Sequence, residues 1–283
     1  MTNPTTKDRR LWPANARVAH RTLAGQVDGL TLVDGTPATL THPVTDLMTA
    51  PDGRRDRQLL LGADVTVLED RDGWSFVHGH DGYVGYVPSD RLTADVVPTH
   101  RVGTFATHAY ADDDLKSPDV LQLPFGARVR VLDERRHFFE TPQGFIPKKH
   151  LRPLDRPFAS PATIAQLHFG VPYLWGGNST RGLDCSGLIA AALHACDIPC
   201  PGDADLQEAA LGEALAPDAD LQRGDLIFWP GHVGMMVDAA TMIHANGNAM
   251  AVTYEPLANA ILRIRTVENS EVTSRRRVEG LSI

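Results

Sequence analysis

The chain has 283 residues, 42% hydrophobic and 22% charged, which describes a globular protein long enough for two or three compact units. Its net charge of −8 gives no electrostatic footprint for nucleic acid, and no apolar run approaches the length of a membrane span. Three cysteines, Cys185, Cys196 and Cys200, are too few and odd in number for a disulfide scaffold, and their spacing lacks the CxxC of structural zinc. The first stretch, MTNPTTKDRRLWPANAR, is polar and interrupted by prolines. It lacks the apolar core of a secretory signal, so a cytoplasmic protein is expected, with residues 1–25 as an N-terminal extension.

Between residues 26 and 154 the chain repeats itself. LLLGADVTVLEDRDGWSFV is followed by LQLPFGARVRVLDERRHFF. Setting Gly62 against Gly126 also sets Val65 against Val129, Val67 against Val131, Leu68 against Leu132 and Trp74 against Phe138. The units close alike, as GYVPSDRL and GFIPKKHL, with Tyr86, Val87, Pro88 and Leu92 matching Phe145, Ile146, Pro147 and Leu151. Short alternating apolar runs between Gly, Asp and Pro turns predict two small β-barrels, over 26–97 and 98–154. The pattern resembles the bacterial SH3 domain in two copies. Scaffolding is the plain expectation for such copies; the functional one is that one copy shapes a substrate site.

The proline-rich segment LRPLDRPFASPAT, Leu151 to Thr163, reads as a domain junction. Beyond it, PATIAQLHFG predicts a short helix ending at Gly170, and CSGLIAAALHACDI a longer, mostly buried one. Cys196 and Cys200 fall near the end of that helix and read as small buried side chains. DLIFW, HVGMMVD and TMIHAN then read as strands joined by tight turns. Helices followed by an antiparallel sheet make residues 155–283 an α+β domain. The tail from Val267 is polar and charged, and no role can be read for it.

The chemistry starts at GLDCSG. Asp184 is a good helix N-cap, which puts Cys185 and Ser186 in the first turn. There the helix dipole favours thiolate, and free N–H groups can hold a developing oxyanion. A cysteine opening a core helix is as readily a buried structural residue, so the histidines decide. A thiol nucleophile needs an imidazole to take its proton and return it to the leaving group. His232 opens one strand and His244 lies in the next. A hairpin that pairs Gly234 with His244 puts both histidines on one sheet face, with Gly234 leaving room between them. Most of the 12 histidines must be surface or core residues; two on one face after a helix-opening cysteine is a more specific pattern.

These residues stand in PYLWGG (Pro172 to Gly177), DCSG (Asp184 to Gly187), GDLIFW (Gly224 to Trp229), GHVGMMV (Gly231 to Val237) and IHAN (Ile243 to Asn246). Over roughly residues 155–265 the chain resembles the NlpC/P60 cysteine peptidases, which have a papain-like core. The two SH3-like units ahead resemble a narrower subgroup. Those enzymes cleave between γ-D-glutamate and meso-diaminopimelate in peptides with a free N-terminal L-alanine. The resemblance implies Cys185 as nucleophile, His232 as base, His244 as its orienting residue and Tyr173 as a hydroxyl reaching the catalytic site. It implies substrate contacts from Asp184, Ser186 and Trp175, diaminopimelate binding by Asp203, and closure of the pocket around the substrate's amino terminus by Tyr83. Two positions depart from the pattern. Gly202 stands where an arginine often precedes the acid, and Ala63 stands where a glutamate contacts the free amine, with Asp64 as a candidate substitute.

The implied partner is a peptidoglycan-derived peptide, L-Ala-γ-D-Glu-diaminopimelate, with no cofactor, no nucleic acid and no membrane. Three other readings are open. Cys185, His232 and His244 could ligate zinc, although no fourth ligand is evident and a helix N-terminus repels a cation. The thiol–imidazole pair could serve an amide hydrolase or acyltransferase on another substrate. The two β units alone could make a non-catalytic wall-binding protein.

Overall fold

The computed structural model describes residues 7–94 and 96–278. In the first β unit seven strands between Thr36 and Ala94 form one antiparallel sheet. Alternating side chains fill its core, among them Leu40, Leu47, Val65, Val77 and Val87. A register shift between Val67 and Glu69 turns Leu68 inward as well, against Phe76 and Val84. The second unit, His100–Val102 to Leu151–Pro153, divides between a three-stranded and a five-stranded sheet. Among the described residues neither unit closes into the expected barrel. In the first, the ladder ends at the strand Arg55–Leu60, whose free edge serves as a docking surface instead.

The repeat survives in three dimensions at its turns. Gly62 and Gly126 both adopt positive φ, +78° and +82°. Both closing segments run strand, 3-10 turn, strand, through Ser89–Arg91 and Lys148–His150. One equivalence fails. Leu68 is buried but Leu132 is 55% exposed, because the second unit interrupts the strand after Val129. The units are also fused: Leu61 of the first belongs to the core of the second. The N-terminal boundary is crossed too, since Val18–His20 pairs with Thr31–Val33 across residue 25.

The C-terminal domain carries four helices: α1 Pro161–Leu167, α2 Cys185–Ala195, α3 Ala204–Ala210 and α4 Leu257–Glu268. Among the described residues its main sheet has six strands, β1 Glu213–Ala214, β2 Leu226–Trp229, β3 His232–Met236, β4 Thr241–Asn246, β5 Ala251–Pro256 and β6 Ser274–Arg277. The sheet order is β1-β6-β2-β3-β4-β5. α1 starts at a Ser160 cap with Pro161 in its first turn. It ends at Leu167 rather than at Gly170, because His168 leaves the helix and turns its Nδ1 onto the Ile164 carbonyl, 2.8 Å away. The tail to which the sequence assigned no role supplies β6, an interior strand between β1 and β2. Arg277 there makes a two-pronged bond, 2.8 and 2.7 Å, to Asp225, which is 1% exposed.

Two seams join the β units to this domain. The strand Arg55–Leu60 meets the loop after Trp175, where Gln58 N–H donates to Asn178 Oδ1 (3.0 Å) and Asn178 N–H to Gln58 Oε1 (3.2 Å). From the second unit, buried Arg101 donates to the carbonyls of His194 (2.9 Å) and Ala195 (3.2 Å) and pairs with Asp197 at 2.6 Å. A cation at the C-terminal end of α2 suits the helix dipole. The second unit therefore holds the far end of the helix whose first residue is Cys185.

Candidate active site

Cys185 opens α2 because Asp184 caps it. One carboxylate oxygen of Asp184 accepts from Gly187 N–H at 2.7 Å and the other from Gly176 N–H at 2.8 Å. Ser186 Oγ donates to the same carboxylate at 3.0 Å. The Asp184 and Ser186 side chains are thus engaged in the cap. The thiol is 7% exposed and lies 3.8 Å from the Gly231 carbonyl, beside the residue that opens β3. The helix dipole argued for thiolate, but burial outweighs it. Burial, with the Asp184 carboxylate next door, pushes the thiol up to about 12, and the N–H groups of Val233, Ser186 and Cys185 only soften the shift.

β3 and β4 pair Met235 with Ile243 and Met236 with Met242, the register that sets Gly234 opposite His244. A side chain on Gly234 would meet His244 Cβ at 3.4 Å. His232 Nε2 and His244 Nδ1 lie 2.9 Å apart. The zinc arrangement needs both imidazoles turned to one point; here a ring nitrogen of each faces the other. His232 also packs on the buried Trp229, ring centres 5.7 Å apart. Burial, then the neighbouring His244 and Arg263, hold His232 down to about 3. Burial holds His244 down to about 4 against the opposing pull of Glu255. The resting pair is therefore a neutral thiol and a neutral imidazole. Tyr173 is half-buried nearby, its hydroxyl pushed up by burial and then by the fields of Cys185 and Asp184. Trp175 is 71% exposed, with only its carbonyl engaged, by Arg55 at 3.4 Å.

Tyr83 and Asp203, 120 residues apart, meet across the first seam: the tyrosine hydroxyl donates to Asp203 Oδ2 at 2.6 Å. Tyr83 does not form an open wall, as the resemblance implied. Its ring is 1% exposed within the core of the first β unit, while Asp203 keeps 39% of its side chain exposed. Tyr83 can reach a ligand only through Asp203. Arg10 binds the same oxygen at 2.7 Å and bridges to Asp205 and Asp8. The departure at Gly202 also has a structural counterpart. A Cβ there would lie 2.1 Å from Arg57 Nη1, so an arginine of the first β unit fills the space. Arg57 pairs with Asp81 at 2.5 Å and covers the Tyr83 ring, 4.7 Å from its centre. Asp64, the candidate substitute for the missing glutamate, faces Arg128 of the second unit at 3.5 Å.

Several of these residues had no sequence signal. Arg10 and Arg57 lie outside every motif. Gln207 is fully buried and ties α3 to α2 through the Ser186 carbonyl at 2.9 Å. Glu255 lies 3.0 Å from His244 Nε2, and only the β4–β5 register, Met242 opposite Glu255 and His244 opposite Thr253, brings it there. A buried thiol at a helix N-terminus, against the carbonyl of the residue that precedes a neutral imidazole, is placed to attack a carbonyl and hand its proton to the ring as it does so.

The NlpC/P60 family model matches residues 170–271, and the model of the bacterial dipeptidyl-peptidase Sh3 domain matches residues 47–92. A gamma-D-glutamyl-L-lysine dipeptidyl-peptidase of Bacillus subtilis is 33% identical over 231 residues, 72% of this chain and 76% of that protein. A Bacillus cereus protein of the same name is 29% identical over 240 residues, 71% of this chain and 70% of that one. A solved structure of an NlpC/P60 family protein from Bacillus cereus shares the fold over 86% of this chain and 99% of its own, with a TM-score of 0.73 at 23% identity.

Proposed function

The chain belongs to the NlpC/P60 family, and on that premise we propose that it is a cysteine peptidase acting on peptidoglycan stem peptides. The bond cut is the one between γ-D-glutamate and the diamino acid that follows. The observation that carries this reading is the buried Cys185 thiol at the α2 N-terminus, against the start of the strand that opens with His232, itself paired with His244. In the first half-reaction Cys185 Sγ attacks the γ-carbonyl of D-glutamate while His232 takes the thiol proton. The N–H groups at the start of α2 stabilise the oxyanion. His232 then protonates the departing amine of the diamino acid, leaving a thioester. Water attacks the thioester with His232 again as base, and the peptide acid and the thiol are regenerated.

The resemblance assigned Asp203 to diaminopimelate; its bonds to Tyr83 and Arg10 support a different role, and we assign it to the free amino terminus of L-alanine. The missing glutamate at Ala63 leaves Asp203 as the anion for that end. Meso-diaminopimelate is the third residue implied by the sequence resemblance, and L-lysine is the one in the relatives' names. Mass spectrometry of products from L-Ala-γ-D-Glu-diaminopimelate, its L-lysine counterpart and their N-acetylated forms tests the proposal. Release of L-Ala-γ-D-Glu from a free peptide is expected, with the diaminopimelate peptide cut faster. Cleavage at another bond, or none in any peptide, would overturn it.

A further inference from the structure

We propose that Glu255, clamped by Arg263, is a positioning residue that fixes the proton arrangement of His244 and His232, so that His232 presents a bare nitrogen to the Cys185 thiol. This rests on the peptidase reading and extends it outward by two residues. Donors and acceptors balance along one line of contacts. The facing nitrogens His232 Nε2 and His244 Nδ1, 2.9 Å apart, need one proton between them. If it sits on His232 Nε2, the other ring nitrogen of His232 is bare and can act as base. If it sits on His244 Nδ1, His232 carries its proton on the far side and has no free lone pair with which to accept another. The choice is made at the outer nitrogen of His244, which is protonated in the first case and bare in the second.

Two neighbours compete at that outer nitrogen. Asn246 Nδ2 lies 3.1 Å from His244 Nε2, and the amide orientation is set by Ala249 N–H donating to Oδ1 at 2.8 Å and by Nδ2 donating to Thr253 Oγ1 at 2.9 Å. Asn246 alone would therefore favour a bare Nε2, the unproductive arrangement. Glu255 Oε2 lies 3.0 Å from the same nitrogen and favours a proton there. A lone pair facing a carboxylate is repelled, whereas an N–H is attracted, and the ionic partner outweighs the neutral amide. Arg263 keeps the carboxylate ionised through bonds of 3.0 and 2.8 Å, which hold Glu255 below the usual carboxylate range.

The fold explains why the pair reaches the site. Glu255 is the same-face diagonal neighbour of His244 across the β4–β5 ladder, and Arg263 comes from α4, which begins directly after β5. The charged or titratable groups around Glu255 are His244, with His232 behind it, and Arg263, which also reaches Glu268 at 3.6 Å. Thr253 and Asn246 add only neutral groups.

The test is Glu255→Gln, with Arg263→Lys as the variant that keeps the cation. Two readouts separate this inference from the peptidase reading. Alkylation of Cys185 by iodoacetamide, followed by peptide mass spectrometry across about pH 5 to 9, needs no substrate. Glu255→Gln should lower that rate and kcat on the cleaved peptide by about 10–100-fold, the size seen when the outer partner of a metal-bound imidazole is removed. KM should stay within about twofold, since no substrate contact is lost. Arg263→Lys should fall less than Glu255→Gln. A folded Glu255→Gln protein with the wild-type alkylation profile and kcat would overturn the relay and leave the peptidase reading intact. Should that variant not fold, the 15N shifts of His244 in the unmodified protein decide: a protonated Nε2 supports the proposal and a bare Nε2 overturns it.

Discussion

At the scale of single residues, burial controls the chemistry. Cys185, His232 and His244 each sit in surroundings that disfavour their charged forms, so activation has to come from proton transfer between them as a carbonyl is attacked. Cys185→Ala should remove hydrolysis above background in a folded protein, while Cys196→Ala and Cys200→Ala keep it, because neither of those thiols lies beside an imidazole pair. Dialysis against EDTA should leave activity intact and iodoacetamide should abolish it; loss to EDTA restored by zinc would reverse the assignment. The same groups set stability against pH. An unfolded histidine takes up its proton near 6.5, whereas His232 and His244 resist protonation down to about 3 and 4. Below 6.5 the unfolded chain binds more protons, so stability falls as pH drops toward 4. The thiol acts at the other end. It ionises near 9 when unfolded and only near 12 when folded, so stability falls again as pH rises above 9. Urea midpoints at about pH 4.5, 7.5 and 10 should peak at the middle value.

At the scale of elements, the sheet depends on a strand from the far C-terminal end. β6 lies between β1 and β2, and its Arg277 answers the buried charge of Asp225. Gln222 N–H also donates to Asp225, at 2.8 Å, so the carboxylate is not stranded when the arginine goes. Arg277→Ala should therefore destabilise by on the order of 2 kcal/mol, less than the full cost of an unpaired buried ion. Asp225→Asn with Arg277→Ala should recover part of it. Urea denaturation of the two proteins reads the difference; an unchanged midpoint for Arg277→Ala would mean β6 is held by its backbone ladder alone. α2 is fixed at both ends, by the Asp184 cap beside the thiol and by Arg101 at its last carbonyls. A helix held so leaves its first residue little freedom, which suits a group that must meet a carbonyl within a few tenths of an ångström.

At the scale of the molecule, three parts of the chain converge on Asp203: Arg10 from the N-terminal segment, Tyr83 from the first β unit and α3 of the catalytic domain. Tyr83→Phe removes one hydrogen bond to a charged group without changing the packing of the ring. It should lower kcat/KM for the free L-Ala-γ-D-Glu-diaminopimelate peptide by roughly tenfold, in line with about 1.5 kcal/mol for such a bond. The N-acetylated peptide should change little, so discrimination between the two narrows. Equal rates for Tyr83→Phe and the unmodified protein on both peptides would show that the first β unit does not read the substrate's end.

The sequence by itself determined the local parts. The Asp184 cap, the helix from Cys185, the strands carrying His232 and His244 and their shared face follow from propensity and period, which act over a few residues. The β repeat was legible for the same reason, because turn glycines and alternating apolar residues repeat at fixed offsets. Where the repeat failed, at Leu132, a break in pairing overrode the pattern. Tertiary structure alone decided the rest. The thiol's protonation depends on how deeply α2 is covered, a sum over neighbours from distant segments. Glu255 joins His244 only through a hairpin register, and Arg57 reaches the space above Gly202 only because the first β unit docks there. The tail became an interior strand because β2 presented an unpaired edge and a buried carboxylate that needed a cation. None of these leaves a periodic trace, since each is a contact between residues whose separation along the chain carries no information about their separation in space.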